Sequence, residues 1–235
     1  MYARRVKDRT LTFYVSGLLW HRSLVMQDLE TKTLWSHLLG RGMRGPLKDE
    51  KLEVIPSVMT DWESWRSRHP DTTVVTLPRT SARYRREFYR KPSRFVLGIT
   101  VGGLARAWPF DQLLKQPVVN DQFAGEPVLV LFEPIGSTAL AFRRTVDGRE
   151  LHFEKRGDLL FDRETGSSWD PLTGQAITAG SQAMQLTPLP AVVSYRRAWL
   201  TFHPETQFWQ APSSDVPATP DARDVDALKK SSSKP

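Results

Sequence analysis

Cysteine is absent from this 235-residue chain. Its absence excludes disulfides, a thiol nucleophile, C-x-x-C redox exchange, iron–sulfur clusters and cysteine-ligated zinc. It also removes the usual clue to redox compartment, because a chain without cysteine tolerates either. Long apolar runs are missing as well: no window approaches the ~18 apolar residues of a membrane span. The N-terminal stretch MYARRVKDRTLTFYVSGLLW is interrupted by Ser16 and Gly17, and has neither the apolar core nor the small-residue cleavage site of a secretory signal. As written the sequence reads as cytoplasmic; a start further upstream with a signal sequence would make it extracytoplasmic. There is no Walker A loop, no G-x-S-x-G elbow and no G-x-G-x-x-G. The run Gly98 to Gly103, G-I-T-V-G-G, reads as a turn between strands rather than a phosphate cradle. The five histidines show no H-x-x-x-H spacing, so no metal and no cofactor is expected.

What remains is ordinary globular material, 40% apolar and 25% charged, enough for a sizeable core. The net charge of +7 is uneven. Residues 79–94 hold seven basic side chains against one acid, Glu87. Two readings stay open for this stretch. It is a solvated linker, or Arg83, Arg85, Arg86 and Arg90, interleaved with Tyr84, Phe88 and Tyr89, attract nucleic acid or anionic lipid.

An internal repeat is the strongest signal. At an offset of 134 residues Asp28 falls on Asp162, Glu30 on Glu164, Thr31 on Thr165, Trp35 on Trp169 and Gly40 on Gly174. The same offset continues through Leu52/Leu186, Pro56/Pro190, Trp65/Trp199, His69/His203 and Thr72/Thr206. Upstream the offset is 140, with Arg4/Arg144, Val6/Val146, Leu11/Leu151, Phe13/Phe153 and Gly17/Gly157. The second copy is therefore six residues shorter between its glycine and its aspartate. Residues 95–148 precede the matched part of copy two, whereas copy one resembles only the C-terminal half of a unit. The expected organisation is a half repeat over 1–78, a basic linker over 79–94, a near-complete repeat over 95–210 and a disordered tail over 211–235.

The fold class is α+β and predominantly β, a duplicated β-rich unit with short helices. Alternation and β-branched or aromatic content predict strands at 10–15, 95–101, 118–120, 128–132 and 150–153. Asp147-Gly148, Gly102-Gly103 and Ala124-Gly125 predict tight turns. Short helices are expected over 61–68, 110–115 and 194–202. His69 and His203 end matched His-Pro-acid-Thr motifs, read either as helix stops or as ligand or general-base positions. Asp28-x-Glu30-Thr31 and Asp162-x-Glu164-Thr165 read as turns closed by the aspartate or threonine, with acid–base work as the alternative. The recurring tryptophans read as core anchors, with Trp65 and Trp199 both buried against sheet.

These residues resemble the prokaryotic family called domain of unknown function 3179. The markers are Ala-x-Pro (107–109), Val-Asn-Asp (119–121), Ser-Gly (16–17), Leu-Val-Met (24–26), the D-x-E-T turn, Leu-Trp-Ser (34–36), Gly-Pro-Leu (45–47), and Trp62-x-x-Trp65 ending in His-Pro-Asp-Thr. The resemblance covers roughly residues 2–77 and 95–206. It implies a Cys-Pro-Leu-Cys-Gly-Ser-like thiol motif after the strand that follows Val-Asn-Asp, for redox exchange or metal binding. Here that stretch is Phe132-Glu133-Pro134-Ile135-Gly136-Ser137. Glu133 stands for the first cysteine and the second is deleted, and a carboxylate exchanges no disulfides. The expected pocket is built from Glu133, Ser137, Asn120, Asp121, His69 and His203, with nearby backbone N–H groups, or Arg143 or Arg144, as partners of Glu133. Three functions stay open: a non-catalytic, degenerate structural or binding module; an enzyme or metal-dependent redox-type protein using the remaining polar groups; or anionic polymer or lipid binding through the basic linker.

Overall fold

The computed structural model describes residues 1–74, 91–177 and 184–212. Of the basic stretch only 91–94 fall within these ranges; Arg83, Arg85, Arg86 and Arg90, and nearly all of the C-terminal tail, lie outside the described residues.

Copy one contains β1 (Arg5–Val6), β2 (Arg9–Thr10), β3 (Phe13–Trp20), β4 (Ser23–Asp28), β5 (Leu34–Ser36), β6 (Arg41–Arg44) and α1 (Trp62–Arg68). Copy two begins with β7 (Phe95–Val101), β8 (Leu104–Pro109), α2 (Phe110–Leu113), β9 (Val118–Phe123), β10 (Glu126–Glu133) and β11 (Thr138–Arg143). It continues through β12 (Thr145–Val146), β13 (Arg149–Glu150), β14 (Phe153–Arg156), β15 (Leu159–Asp162), β16 (Ser168–Trp169), β17 (Thr187–Pro188), β18 (Val192–Tyr195), α3 (Arg196–Phe202) and β19 (Gln207–Phe208). The protein is thus β-rich α+β.

Copy two is layered. One sheet runs β18-β7-β8-β19 and a second runs β17-β11-β10-β9. Phe95, Leu97, Ile99 and Trp108 of the first face Val128, Val130, Phe132, Ala139 and Ala141 of the second. The alternate residues of β10, Leu129 and Leu131, point the other way, onto Leu151, Phe153, Leu160 and Trp169 around the β14-β15-β16 meander. A strand covered on both faces has no polar alternation to show, which is why Val128–Phe132 is an unbroken apolar run. On the outside of the first sheet α3 lays Trp199 against Val96, Ala105 and Ala107.

The repeat is visible bond by bond. The meander β3-β4-β5 has the strand order of β14-β15-β16. Leu11 N–H donates to Arg4 O as Leu151 N–H does to Arg144 O, and Leu52 N–H donates to Gly40 O as Leu186 N–H does to Gly174 O. α1 and α3 have equal length and end with His69 N–H on Trp65 O and His203 N–H on Trp199 O. The six extra residues of copy one lengthen the β3–β4 hairpin, whose tip sets Trp20 edge-on to Phe202 of α3 at 4.8 Å.

Several expectations change. The strands predicted over 10–15 and 150–153 are both broken, because Leu11 and Thr12 step out of the ladder between β2 and β3 and Leu151 and His152 do so between β13 and β14, with Leu11 and Leu151 turned into the core. The helix predicted from Ser194 starts at Arg196, since Ser194 and Tyr195 pair with Val96 and Phe95. Trp65 is half-buried while Trp199 is 2% exposed; the sheet that receives Trp199 has no counterpart under Trp65 among the described residues. The turn signals hold: Asp147-Gly148, Gly102-Gly103 and Ala124-Gly125 all take positive φ at both positions, the geometry of a two-residue hairpin turn. No helix among the described residues is long and apolar enough to cross a membrane.

Candidate functional site

Glu133 ends β10, opposite Thr138 across the β10–β11 hairpin. Its Oε1 accepts from Ile135 N–H at 2.8 Å and its Oε2 from Gly136 N–H at 2.6 Å. The carboxylate therefore folds back on its own turn, and Arg143 and Arg144 do not reach it. Arg143 pairs with Glu126 at 3.1 Å. Arg144, 3% exposed, is held by Glu150 and the carbonyls of Asp121 and Leu151. Ser137, at φ 49°, completes the turn with its N–H on Pro134 O.

Gly136 is at a close approach. A β-carbon there would lie 2.5 Å from Asp61 Oδ2, 3.0 Å from Thr138 Oγ1 and 3.1 Å from Glu133 Oε2. Only glycine leaves room for this convergence, in which the cap of α1 from copy one meets the turn of copy two. Asp61 is fixed by Ser64, whose N–H donates at 2.9 Å and whose hydroxyl donates at 2.7 Å. Those two bonds hold the Asp61 carboxyl below the ordinary aspartate value.

Beside this turn lies a cavity of about 290 Å³, with Val118, Leu131, Leu140 and Leu160 on its apolar side and Ser64, Arg68 and Lys155 among its polar groups. Thr138 also lines it. Its hydroxyl oxygen is buried with no hydrogen-bond partner among the described residues.

The sequence matches the family described as Protein of unknown function (DUF3179) twice, over residues 1–95 and 89–216. The chain belongs to this family. No curated protein and no solved structure matches it. The two DUF3179 matches divide the chain as the internal repeat does.

The six residues expected to form one pocket are not brought together. Glu133 and Ser137 share the turn. Asn120 and Asp121 sit further along β9, opposite Leu129 and Val128 rather than beside Glu133. Asn120 clamps Phe153, with its Nδ2 on Phe153 O and its Oδ1 on Phe153 N–H, both 2.8 Å. Asp121 accepts from Arg106 at 2.7 Å and from Trp108 Nε1 at 2.9 Å. These two members of the DUF3179 Val-Asn-Asp marker stitch layers together. His203 packs tilted against Trp199, with ring centroids 4.3 Å apart, and burial pushes its imidazole pKa down. His69 packs tilted against Trp65, with ring centroids 4.2 Å apart, and borders a second, larger cavity of about 660 Å³ between the copies, shared with Tyr2 and His37. Burial raises the Tyr2 phenol to about 12 and lowers the His37 imidazole. Among the described residues no group of three or more His, Asp or Glu is gathered for a metal ion.

Sequence reasoning placed Asp61 only at the start of a short helix and passed over Thr138, Arg68 and Lys155. Nothing in one sequence announces that a cap in copy one faces a turn in copy two. Thr138, one residue past the motif, was the available signal.

Proposed function

We propose that this protein acts by binding, as a degenerate DUF3179 member whose reactive motif has become a structural turn beside a small-molecule cavity. The observation that carries this reading is the use of Glu133: its two oxygens serve the backbone N–H groups of Ile135 and Gly136. A carboxylate so engaged builds its loop and has no histidine beside it in the cavity lining. The unpartnered Thr138 hydroxyl supports a ligand role for the cavity, because a buried hydroxyl without a partner costs about 1–3 kcal/mol and a bound polar group recovers that loss. The chemistry that fits is a compact ligand with one apolar face, set on Leu131 and Leu160, and a hydrogen-bonding group directed at Thr138.

Two substitutions read out this proposal in thermal unfolding. Glu133→Ala strips the turn of its acceptor and lowers Tm by roughly 2–6 °C, the equivalent of about 1–2 kcal/mol for a chain of this size. A higher Tm for Glu133→Ala marks a polar group held at a cost to stability for function and overturns the structural reading of Glu133. Thr138→Val removes the orphan hydroxyl at nearly constant shape and raises Tm. A lower Tm shows that the hydroxyl already has a partner and removes the support for a cavity ligand.

A further inference from the structure

The cavity of about 660 Å³ lies between matched segments of the two copies. Ser57 and Val58 line it, and so do Ala191 and Val192, their counterparts at the offset of 134. Tyr2 and Phe142, counterparts at the offset of 140, line it as well. Their rings hold equivalent places: a β-carbon on Gly40 would strike Tyr2, and one on the matching Gly174 would strike Phe142.

The copies contribute different chemistry. Copy two supplies apolar side chains, among them Leu140, Phe142 and Val193. Copy one brings Trp65 and the imidazoles of His69 and His37. The half-buried His69 lies tilted on the Trp65 ring, and His37 meets Tyr2 edge-on, with ring centroids 6.2 Å apart. Neither imidazole has a hydrogen-bond partner among the described residues. Their polar neighbours are already committed. Tyr2 Oη lies 2.8 Å from His37 O and 3.1 Å from Leu38 O, and Trp65 Nε1 donates to Thr72 Oγ1 at 3.0 Å. No Asp, Glu, Lys or Arg is among the described lining residues. The one formal charge there is the amino group of Met1, a residue 73% exposed, and it donates to Ser57 Oγ at 3.2 Å. A charged ligand would lose its water in this lining and gain no buried counter-ion.

We propose that this cavity is a second binding site, for an uncharged, largely apolar ring compound that carries one neutral hydrogen-bonding group. The Trp65–His69 pair is an aromatic face, which favours rings over flexible chains. The body of the ligand rests on Leu140 and Phe142. Its polar group bonds to the His69 imidazole, which in its neutral form offers one donor and one acceptor. The volume falls within the roughly 300–1,000 Å³ of small-molecule sites. The site shares Leu140 and Leu172 with the cavity at Thr138 but none of its polar groups.

The test uses the full chain, labelled with nitrogen-15, at pH 7. The probe is 2-naphthol, uncharged at this pH. Naphthalene lacks its hydroxyl, and 2-naphthoate replaces the hydroxyl with a carboxylate. The expected result is saturable one-to-one binding of 2-naphthol, with shifts centred on the Trp65 indole and the amides of 57–58 and 191–193. 2-Naphthoate should bind about 10-fold more weakly, the equivalent of about 1.4 kcal/mol. His69→Leu should lower affinity for 2-naphthol by a similar factor and leave that for naphthalene unchanged, which also reports that the cavity is intact. His69→Gln, which keeps a donor and an acceptor, should bind 2-naphthol much as wild type does. The proposal is overturned by no saturable binding of 2-naphthol, by 2-naphthoate binding as tightly, or by His69→Leu weakening both neutral probes equally. Shifts centred on Ser64, Thr138 and Lys155 overturn it as well, because they place the probe in the other cavity.

Discussion

Asp28 and Asp162 are 0% and 1% exposed, a burial that carboxylates survive only when hydrogen-bonded on all sides. Asp28 accepts from Trp35 Nε1 at 2.9 Å, Thr33 N–H at 3.1 Å and both the N–H and hydroxyl of Thr31. Asp162 repeats this with Trp169 Nε1 at 2.9 Å and both donors of Thr165. The neighbouring Glu30 and Glu164 accept from Thr12 N–H and His152 N–H. The D-x-E-T motif is thus a turn that anchors a core tryptophan. Burial pushes the Asp28 carboxyl up, but the donors Trp35, Thr31 and Thr33 together outweigh it and hold it below the ordinary value. A depressed folded pKa contributes stability that is present above the unfolded value of about 3.9 and lost as pH falls through the folded one. Asp28→Ala and Asp162→Ala should each cost about 2–4 kcal/mol at pH 7 in urea unfolding, by orphaning an indole and backbone donors. The gap between wild type and Asp28→Ala should narrow below about pH 3.9; a gap independent of pH refutes the linkage.

At the scale of elements the two helices share their length and their histidine end but have unequal surroundings. Trp199 is enclosed by Val96, Ala105 and Ala107, and Trp65 is not enclosed. Trp199→Ala should therefore cost about 3–5 kcal/mol, and Trp65→Ala about 1–2 kcal/mol, because the cost of truncation follows the cavity it leaves. Denaturant midpoints of the two variants check this; equal losses would mean that Trp65 is as enclosed as its counterpart. The paired hairpins differ too. β3–β4 has a register shift between Val15 and Leu19 that β14–β15 lacks, and it extends past the point where the shorter hairpin turns.

In the whole molecule the copies meet through a few identifiable contacts. The β3–β4 tip places Trp20 and His21 on Phe202 at 4.8 and 5.8 Å. Asp61 abuts Gly136, and Arg68 lies 3.6 Å from Asp170 in a partly exposed pair, a kind of contact worth little in water. The ring contact should dominate. A double-mutant cycle of Trp20→Ala and Phe202→Ala should return a coupling of about 0.5–1.5 kcal/mol; additivity would place the junction elsewhere.

What the sequence determined by itself is whatever depends on neighbours along the chain: the Asp-Gly and Gly-Gly turns, the short helix over 61–68, the D-x-E-T turns, the apolar run of β10, and the repeat that ties Trp35 to Trp169 and His69 to His203. These follow from backbone sterics and local hydrogen bonds, which a short window of residues contains. The tertiary structure alone decided what depends on which surfaces meet. It separated Asn120 and Asp121 from Glu133 and brought Asp61 of one copy against Gly136 of the other. It also left Trp65 half-covered while burying its twin, because burial is a property of the facing sheet and two helices of equal length do not carry their partner sheet with them.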